Sequence, residues 1–150
     1  MAGAAANVVV AGATLSLGGT DVGFTQGGVS IRTPRDFRDV EADQQSTLVK
    51  KVVIMTRMMI RTTLLEPTLV NLQKVWGQAA SGSVIAGVAT PFAAVVVGTG
   101  PAATTRTVTF GAVTSISEGE YNMTRDQENT VDAEFEATTV AGLFATIADV

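Results

Sequence analysis

Apolar and polar residues alternate along much of this 150-residue chain, with the period of two that is typical of half-buried strands. The longest alternating segment is KKVVIMTRMMIRTTLL, residues 50–65, which predicts one long strand with a core face and a solvent face. The predicted core face contains Val52, Ile54, Met58, Ile60 and Leu64, and the basic solvent face contains Lys51, Arg57 and Arg61 beside Thr63.

Shorter segments of the same kind, separated by glycine-rich turns, predict further strands. Gly111 is a predicted bulge, because the apolar phase changes around it. Eight to ten strands and one helix predict a single, mainly β domain, an antiparallel sandwich or rolled barrel with one flanking α-helix. Residues 1–12 are expected to form an N-terminal arm. The strands are predicted within residues 7–17, 28–33, 50–65, 80–104, 105–117, 119–125, 129–139 and 142–150.

One segment, EPTLVNLQKVWGQ (residues 66–78), has helical periodicity. Pro67 suits a first turn, and Gly77 can end the helix. Leu69, Leu72 and Trp76 follow the i, i+3, i+7 spacing of one buried stripe. We therefore expect a helix docked on the sheet, with Trp76, the single tryptophan, in the core.

Composition restricts the chemistry. The chain has no histidine and no cysteine, so it lacks the commonest general base, the commonest metal ligand and any disulfide. Its formal net charge of −4 makes free nucleic acid an unattractive partner. No segment predicts a membrane span or a secretory signal. We expect no enzyme activity and no cofactor.

A row of acids stands in TVDAEFEATT, residues 130–139, where Asp132, Glu134 and Glu136 occupy every second position. On one strand such neighbours lie roughly 6.5–7 Å apart, a spacing compatible with a carboxylate pair or a hard-metal site. The run is a regular strand without the turn that a calcium loop needs. Phe135 faces away from the acids, so no aromatic residue is available beside them for sugar binding. A solvated sheet face and a charged wall remain as alternatives.

Charge is distributed unevenly along the chain. Residues 118–136 hold seven acids against Arg125 alone, whereas residues 32–74 hold eight basic groups and five acidic ones. Copies of such a chain can meet through complementary patches, as in head-to-tail interfaces.

Several stretches resemble bacteriophage tail tube proteins. LGGTDVGFTQGGVSI (residues 17–31) resembles the N-terminal hairpin of that family, and EADQ (residues 41–44) falls where the family carries a similar acidic segment. LLEPTLVNLQKVWG (residues 64–77) resembles its passage from strand to helix. Residues 105–139 and 142–149 resemble its C-terminal sheet and closing strand. The resemblance runs over most of residues 13–149 and leaves out residues 79–103.

The resemblance implies a structural virion protein, assembled in the bacterial host cytoplasm and located in the phage tail. In that family, hexameric rings of the subunit stack into a hollow tube around a shared inner β-barrel. The implied partners are other copies of the chain, a tape-measure protein, a tail terminator and baseplate hub proteins. Double-stranded DNA would pass through the tube during ejection without specific binding.

The same resemblance suggests roles for particular residues. The acids Asp132, Glu134, Glu136 and Glu128 are expected to line the lumen, with the tube exterior as the alternative. Contacts between subunits are expected at Lys51, Arg57, Arg61, Glu41, Asp43 and Gln44. Competing interpretations are a tail-completion or baseplate hub ring, a tube subunit of a contractile tail or related injection machine, and a carbohydrate-binding sandwich.

Overall fold

The computed structural model describes residues 5, 12–44, 48–76, 90–116 and 120–150. The fold is mainly β with antiparallel pairing and one α-helix, as predicted. Gly77, Glu118, residues 79–89 and most of the expected N-terminal arm lie outside the described residues. The elements are β1 (Ala13–Leu17), β2 (Thr20–Asp21), β3 (Thr25–Arg32), β4 (Arg35–Val40), β5 (Lys50–Thr56), β6 (Met59–Leu64), α1 (Leu69–Trp76), β7 (Phe92–Thr99), β8 (Thr105–Ser115), β9 (Tyr121–Asn122), β10 (Thr130–Thr138) and β11 (Ala145–Asp149).

Nine of these strands form one sheet that curls around a single core. Seven lie in the order β2-β1-β7-β8-β10-β6-β3, while β11 pairs with β8 and β9 pairs with β10. The remaining strands, β4 and β5, pair only with each other in a separate two-stranded sheet. The strands β1, β6, β7, β8 and β10 bury one face against the core and turn the other to solvent, whereas β2 and residues 146–149 of β11 are exposed.

The core is built from the alternate residues that the strand pattern predicts. On β10, Val131, Ala133 and Phe135 are buried between the outward-facing acids. Phe135 meets Phe92 of β7 edge-on, with ring centroids 5.7 Å apart. Because β7 and β10 lie in different halves of the curled sheet, this aromatic pair joins the halves across the core.

The predicted bulge at Gly111 is confirmed. Phe92 pairs with Val113 and Ala94 pairs with Phe110, so β8 carries one extra residue opposite β7. On its other edge β8 changes partner at the same place, from β11 up to Phe110 to β10 from Ala112 onward. The bulge thus lies where one long strand serves two neighbours.

The helix exists, but its predicted buried stripe is wrong. Leu69 and Trp76 are 48% and 41% exposed, and only Leu72 of the predicted stripe packs against the core. Asn71 and Val75 face inward instead, one turn apart. Asn71 Nδ2 donates to the carbonyl oxygens of Val22 and Glu66, both at 2.8 Å, and these bonds fix which side of the helix faces the sheet.

The start of the helix also differs from the prediction. The Thr68 hydroxyl accepts a hydrogen bond from the Asn71 N–H at 3.3 Å, which makes Thr68 the N-cap. Pro67 therefore lies just outside the helix and not in its first turn. Trp76 lies with its ring centroid 6.2 Å from that of Tyr121 at the surface.

The single long strand predicted for residues 50–65 is divided into β5 and β6 at Arg57 and Met58. In β6 the predicted alternation holds, since Ile60, Thr62 and Leu64 are buried and Arg61 is exposed. In β5 it fails, because residues 50–55 are exposed on both faces. The reason is that β5 leaves the large sheet and pairs with β4 alone.

Candidate assembly surfaces

The two-stranded sheet of β4 and β5, with the loop that joins them, is called the exposed hairpin here (residues 35–56). Pairing runs from Arg35 opposite Thr56 to Val40 opposite Lys50, and Val49 N–H donates to Val40 O at 3.0 Å. Eight large apolar side chains of this hairpin are between 38% and 64% exposed: Phe37, Val40, Leu48, Val49, Val52, Val53, Ile54 and Met55.

Both faces of the exposed hairpin carry apolar side chains. Phe37 lies opposite Val53 on one face, and Val52 lies opposite Arg38 on the other. Ile54, in the bulge of β5, is 64% exposed. An isolated two-stranded hairpin is only marginally stable in water, and large exposed apolar patches mark interaction sites. The hairpin therefore has the character of an interface element.

The polar residues of the exposed hairpin include most of the predicted inter-subunit contacts. Lys51 Nζ lies 3.5 Å from Asp39 Oδ1 and 5.2 Å from the centroid of the Phe37 ring. Glu41, Asp43 and Gln44 are exposed at the hairpin's tip, beside residues 45–47, which are outside the described ranges. No contact between copies is tested by a single chain, so these assignments remain predictions.

The outward face of β3, β6 and β10, together with Arg57, is called the charged face. The predicted row of acids, Asp132, Glu134 and Glu136, lies on this face, and each acid has a partner in the same chain. Glu134 Oε1 is 2.9 Å from Arg32 Nη2, and Glu136 Oε1 is 3.8 Å from Arg57 Nε. Asp132 Oδ1 accepts a hydrogen bond from the Thr63 hydroxyl at 3.0 Å.

This pairing changes the picture of an acidic wall. Arg61 lies directly opposite Glu134 in the strand register, so Arg32, Arg57 and Arg61 share the face with the three acids. The charged face is therefore balanced, three positive groups against three negative ones. Glu128 is exposed in the segment before β10, and no basic group of the described residues lies within 4 Å of its carboxylate.

Arg32 is the member of this site that sequence reasoning missed. In the sequence Arg32 counts only as one of the eight basic groups of residues 32–74, because its segment, residues 28–33, is predicted as a strand that Pro34 interrupts. Its guanidinium crosses β6, lies 3.8 Å from the Met59 sulfur and reaches Glu134 on β10. No local signal in the sequence links position 32 to the acids, because the contact depends on the order of β3, β6 and β10 in the sheet.

The opposite face of the rolled sheet carries little charge. Register places Ser16, Val95, Thr109 and Thr146 side by side on β1, β7, β8 and β11. Their neighbours in the next row are Thr14, Val97, Thr107 and Ala148. The two outer faces of the molecule thus differ in kind, one charged and balanced, the other neutral.

An ion pair fastens the last strand at the end of this neutral half. Arg106 Nε and Nη2 donate to the two carboxylate oxygens of Asp149, each at 2.7 Å. The hydrogen bonds from Arg106 hold the pKa of the Asp149 carboxyl below its ordinary value. Val150 and Thr105 exchange backbone hydrogen bonds beside it, so β11 is fixed at its far end.

Features that would indicate chemistry are weak. A groove of about 520 Å³ lies between the ends of β1 and β3, beside the 75% exposed Phe24, and its lining contains no titratable side chain. Among the described residues, no three acids are placed to hold a metal ion together. No helix in those residues is long and apolar enough to span a membrane.

Comparison with known proteins agrees with the fold. No family model matches the sequence, and no curated protein matches it. Among solved structures, a chain of the cryo-EM structure of an extracellular contractile injection system, the PVC sheath-tube complex in its extended state, is similar in fold. The TM-score is 0.59 at 12% sequence identity, over 93% of this chain and 89% of that chain. At this identity the similarity shows the fold alone.

Proposed function

We propose that this protein is a tube subunit, a structural protein whose copies form hexameric rings that stack into a hollow conduit. The exposed hairpin is the observation that carries the proposal. Its apolar side chains lie on both faces, and no element in the described part of the chain covers them. In a ring of identical subunits, the partner that covers such an element is a neighbouring copy of the chain.

Ring closure has a structural basis in the open edge of the rolled sheet. β3 ends the strand order, so no strand among the described residues pairs with its outer edge. An exposed edge is a template for pairing with another chain, and a closed ring of subunits removes it. Gly27 and Gly28 bulge this edge strand against β6, which limits the length of edge open to uncontrolled pairing.

The similarity in fold supports a conduit of the injection-machine kind. The similar chain belongs to a sheath-tube complex, so a tube subunit of a contractile tail or related machine is favoured alongside the tube of a long-tailed phage. In the phage version the location is the virion tail, and tape-measure, terminator and hub proteins are partners. In the contractile version a sheath surrounds the tube.

We place the charged face toward the lumen. Its carboxylates are paired with arginines of the same subunit, at 2.9 Å for Glu134 and 3.8 Å for Glu136. Paired arginines offer fewer free positive charges to phosphate groups, so DNA would slide past without releasing counterions. The proposal assigns the protein no catalytic step and no cofactor.

Negative-stain electron microscopy of the purified, concentrated protein tests the proposed function. Hollow filaments or stacked rings with a lumen about one DNA duplex wide are expected. Single rings that never stack would replace the tube by a hub or completion ring. Monomers at every concentration, also after addition of preformed ring or tube seeds, would overturn the proposal.

A further inference from the structure

The two legs of the exposed hairpin join the rolled sheet at the end of β3 and at the start of β6, and an arginine at the base of each leg reaches the same strand, β10. Arg32 is the last residue of β3, and Arg57 follows the last residue of β5. Arg32 pairs with Glu134, and Arg57 pairs with Glu136, two residues further along β10. Each leg of the hairpin is therefore tied at its base to one of two same-facing acids on a strand that belongs to the sandwich.

The backbone between the sandwich and the exposed hairpin is thinly bonded. The β3–β6 pairing stops at Arg32 opposite Met59, and the β4–β5 pairing starts at Arg35 opposite Thr56. Between them, Arg57 N–H donates to Pro34 O at 2.9 Å. Pro34 has no N–H to return a hydrogen bond. The junction is consequently a narrow hinge: among the described residues, one backbone hydrogen bond joins its two legs, and a second, from Ala137 N–H to Met58 O at 2.8 Å, ties the β6 side to β10.

We infer that the Arg32–Glu134 and Arg57–Glu136 pairs form a latch that sets the direction of the exposed hairpin relative to the sandwich. The inference rests on the proposed function, because the direction of the hairpin decides how its apolar side chains meet a second copy. In this inference the acids of β10 orient the hairpin within their own subunit, in addition to any role toward DNA in the lumen.

The geometry distinguishes a latch from ordinary cross-strand pairing. Arg32 passes over β6 to reach β10, although Arg61 lies directly opposite Glu134. Arg57 lies outside the strands altogether. The remaining acid of this face, Asp132, is bonded to Thr63. The two pairs therefore join the hairpin's base to the sandwich and do not hold two strands of one ladder.

The strength of the pairs suits a reversible device. The paired side chains are between 24% and 55% exposed, so each pair is weak and screened by salt. Two such pairs shift a two-state equilibrium on the order of threefold to tenfold, enough to favour one hairpin direction without locking it. Contacts with a neighbouring copy can then redirect the hairpin at small cost.

The test measures hairpin direction in dispersed monomers. Because the chain has no cysteine, Arg38→Cys on β4 and Thr109→Cys on β8 supply two spin labels at exposed positions. Double electron–electron resonance is recorded for the parent, for Glu134→Gln with Glu136→Gln, and for the charge swap Arg32→Glu, Arg57→Glu, Glu134→Arg, Glu136→Arg. Asp149→Asn is the matched control, because it removes an ion pair far from the hinge.

We expect a narrow distance distribution in the parent and the control, a threefold to tenfold fall in the ratio of the main population to the other populations in the glutamine variant, and recovery of that ratio in the charge swap. Identical distributions in the parent and the glutamine variant would overturn the latch. Microscopy of the same proteins separates the two proposals. Unchanged distance distributions together with normal filaments reject the latch and leave the proposed function in place. A distribution that responds to the substitutions, in a protein that never assembles with or without seeds, rejects the proposed tube subunit and leaves the hinge geometry in place.

Discussion

Arg32, at the end of edge strand β3, reaches across β6 and pairs with Glu134 of β10 at 2.9 Å. The pair spans two strand spacings, and the guanidinium crosses the buried Met59 side chain, with Nη2 3.8 Å from the Met59 sulfur. One side chain thus holds the open edge of the sheet, shields an apolar residue and neutralises an acid of the central row.

The energetic coupling of this pair is expected to be small but measurable. In a double-mutant cycle with Arg32→Met and Glu134→Gln, we expect about 0.2–1 kcal/mol of coupling, since the arginine is 55% exposed. Methionine retains apolar cover over Met59 and removes the charge. Urea denaturation of the four proteins gives the coupling, and it should decline between low salt and molar salt. Zero coupling at low salt would mean that the pair makes no contribution to the free energy of unfolding and affects only the geometry of the two side chains.

Assembly is expected to depend on the apolar side chains of the exposed hairpin. Phe37→Ser combined with Ile54→Ser should raise the concentration needed for filament formation at least about tenfold, because burying such a side chain is worth roughly 1.5–3 kcal/mol. The melting temperature of the monomer should change little, since both side chains are already exposed. Sedimentation and electron microscopy measure assembly.

The matched control for this experiment is Ile147→Ser. Ile147 is 65% exposed, like Ile54 at 64%, but it lies on β11 of the sandwich. If both variants lose assembly equally, the effect is not specific to the hairpin, and the role that we assign to it is wrong.

Stability of the helix docking is expected to depend on Asn71. Asn71→Ala leaves the carbonyl oxygens of Val22 and Glu66 without their amide donor in a buried place, which should lower the free energy of unfolding by about 1–3 kcal/mol. Val70→Ala, on the exposed side of the same helix, should stay within about 0.5 kcal/mol of the parent. Equal effects of the two substitutions in chemical denaturation would contradict the anchoring role of Asn71.

The strand content, the bulge at Gly111 and the two faces of β10 followed from sequence because each is a local pattern of alternation. The direction of the helix did not, because it is fixed by one polar side chain. Asn71 reads as a surface residue in a helical pattern, yet its amide satisfies two backbone carbonyls. Spacing arguments that count only apolar residues therefore selected Leu69 and Trp76 wrongly.

The division of residues 50–65 escaped prediction for a different reason. Val52 and Ile60 alternate in the same way along the sequence, but one lies in a two-stranded hairpin and the other in a nine-stranded sheet. Periodicity reports that a strand has two faces and does not report what covers them. The partners of the acids were hidden likewise, because Arg32 and Glu134 are 102 positions apart and meet only through the order of β3, β6 and β10.

The C-terminal strand is expected to loosen in acid. Hydrogen bonds from Arg106 lower the pKa of Asp149, so this carboxylate stabilises the fold fully above its unfolded pKa of about 3.9 and loses that contribution as the pH falls through the lower folded value. Amide exchange in β11, corrected for intrinsic rates, should accelerate over that range in the parent. Asp149→Asn should already be fast at neutral pH, whereas Asp126→Asn should behave like the parent. Equal acid response in all three would remove Asp149 as the cause.

The charge balance of the charged face, which we propose to line the lumen, is expected to set how DNA interacts with assembled tubes. Asp132→Lys leaves both arginine–glutamate pairs in place and changes the charged face from balanced to an excess of two positive charges per subunit. Short DNA duplexes should then co-sediment with the tubes at about 50 mM salt and be released by 200 mM, because phosphate binding releases counterions. Thr107→Lys, on the neutral face, is the control. A lysine on the tube exterior should retain duplexes outside the lumen, along the wall and equally at both ends. If a nuclease too large to enter the lumen digests the duplexes bound to Asp132→Lys tubes as readily as those bound to Thr107→Lys tubes, the charged face lies outside and the conduit wall is formed by another face.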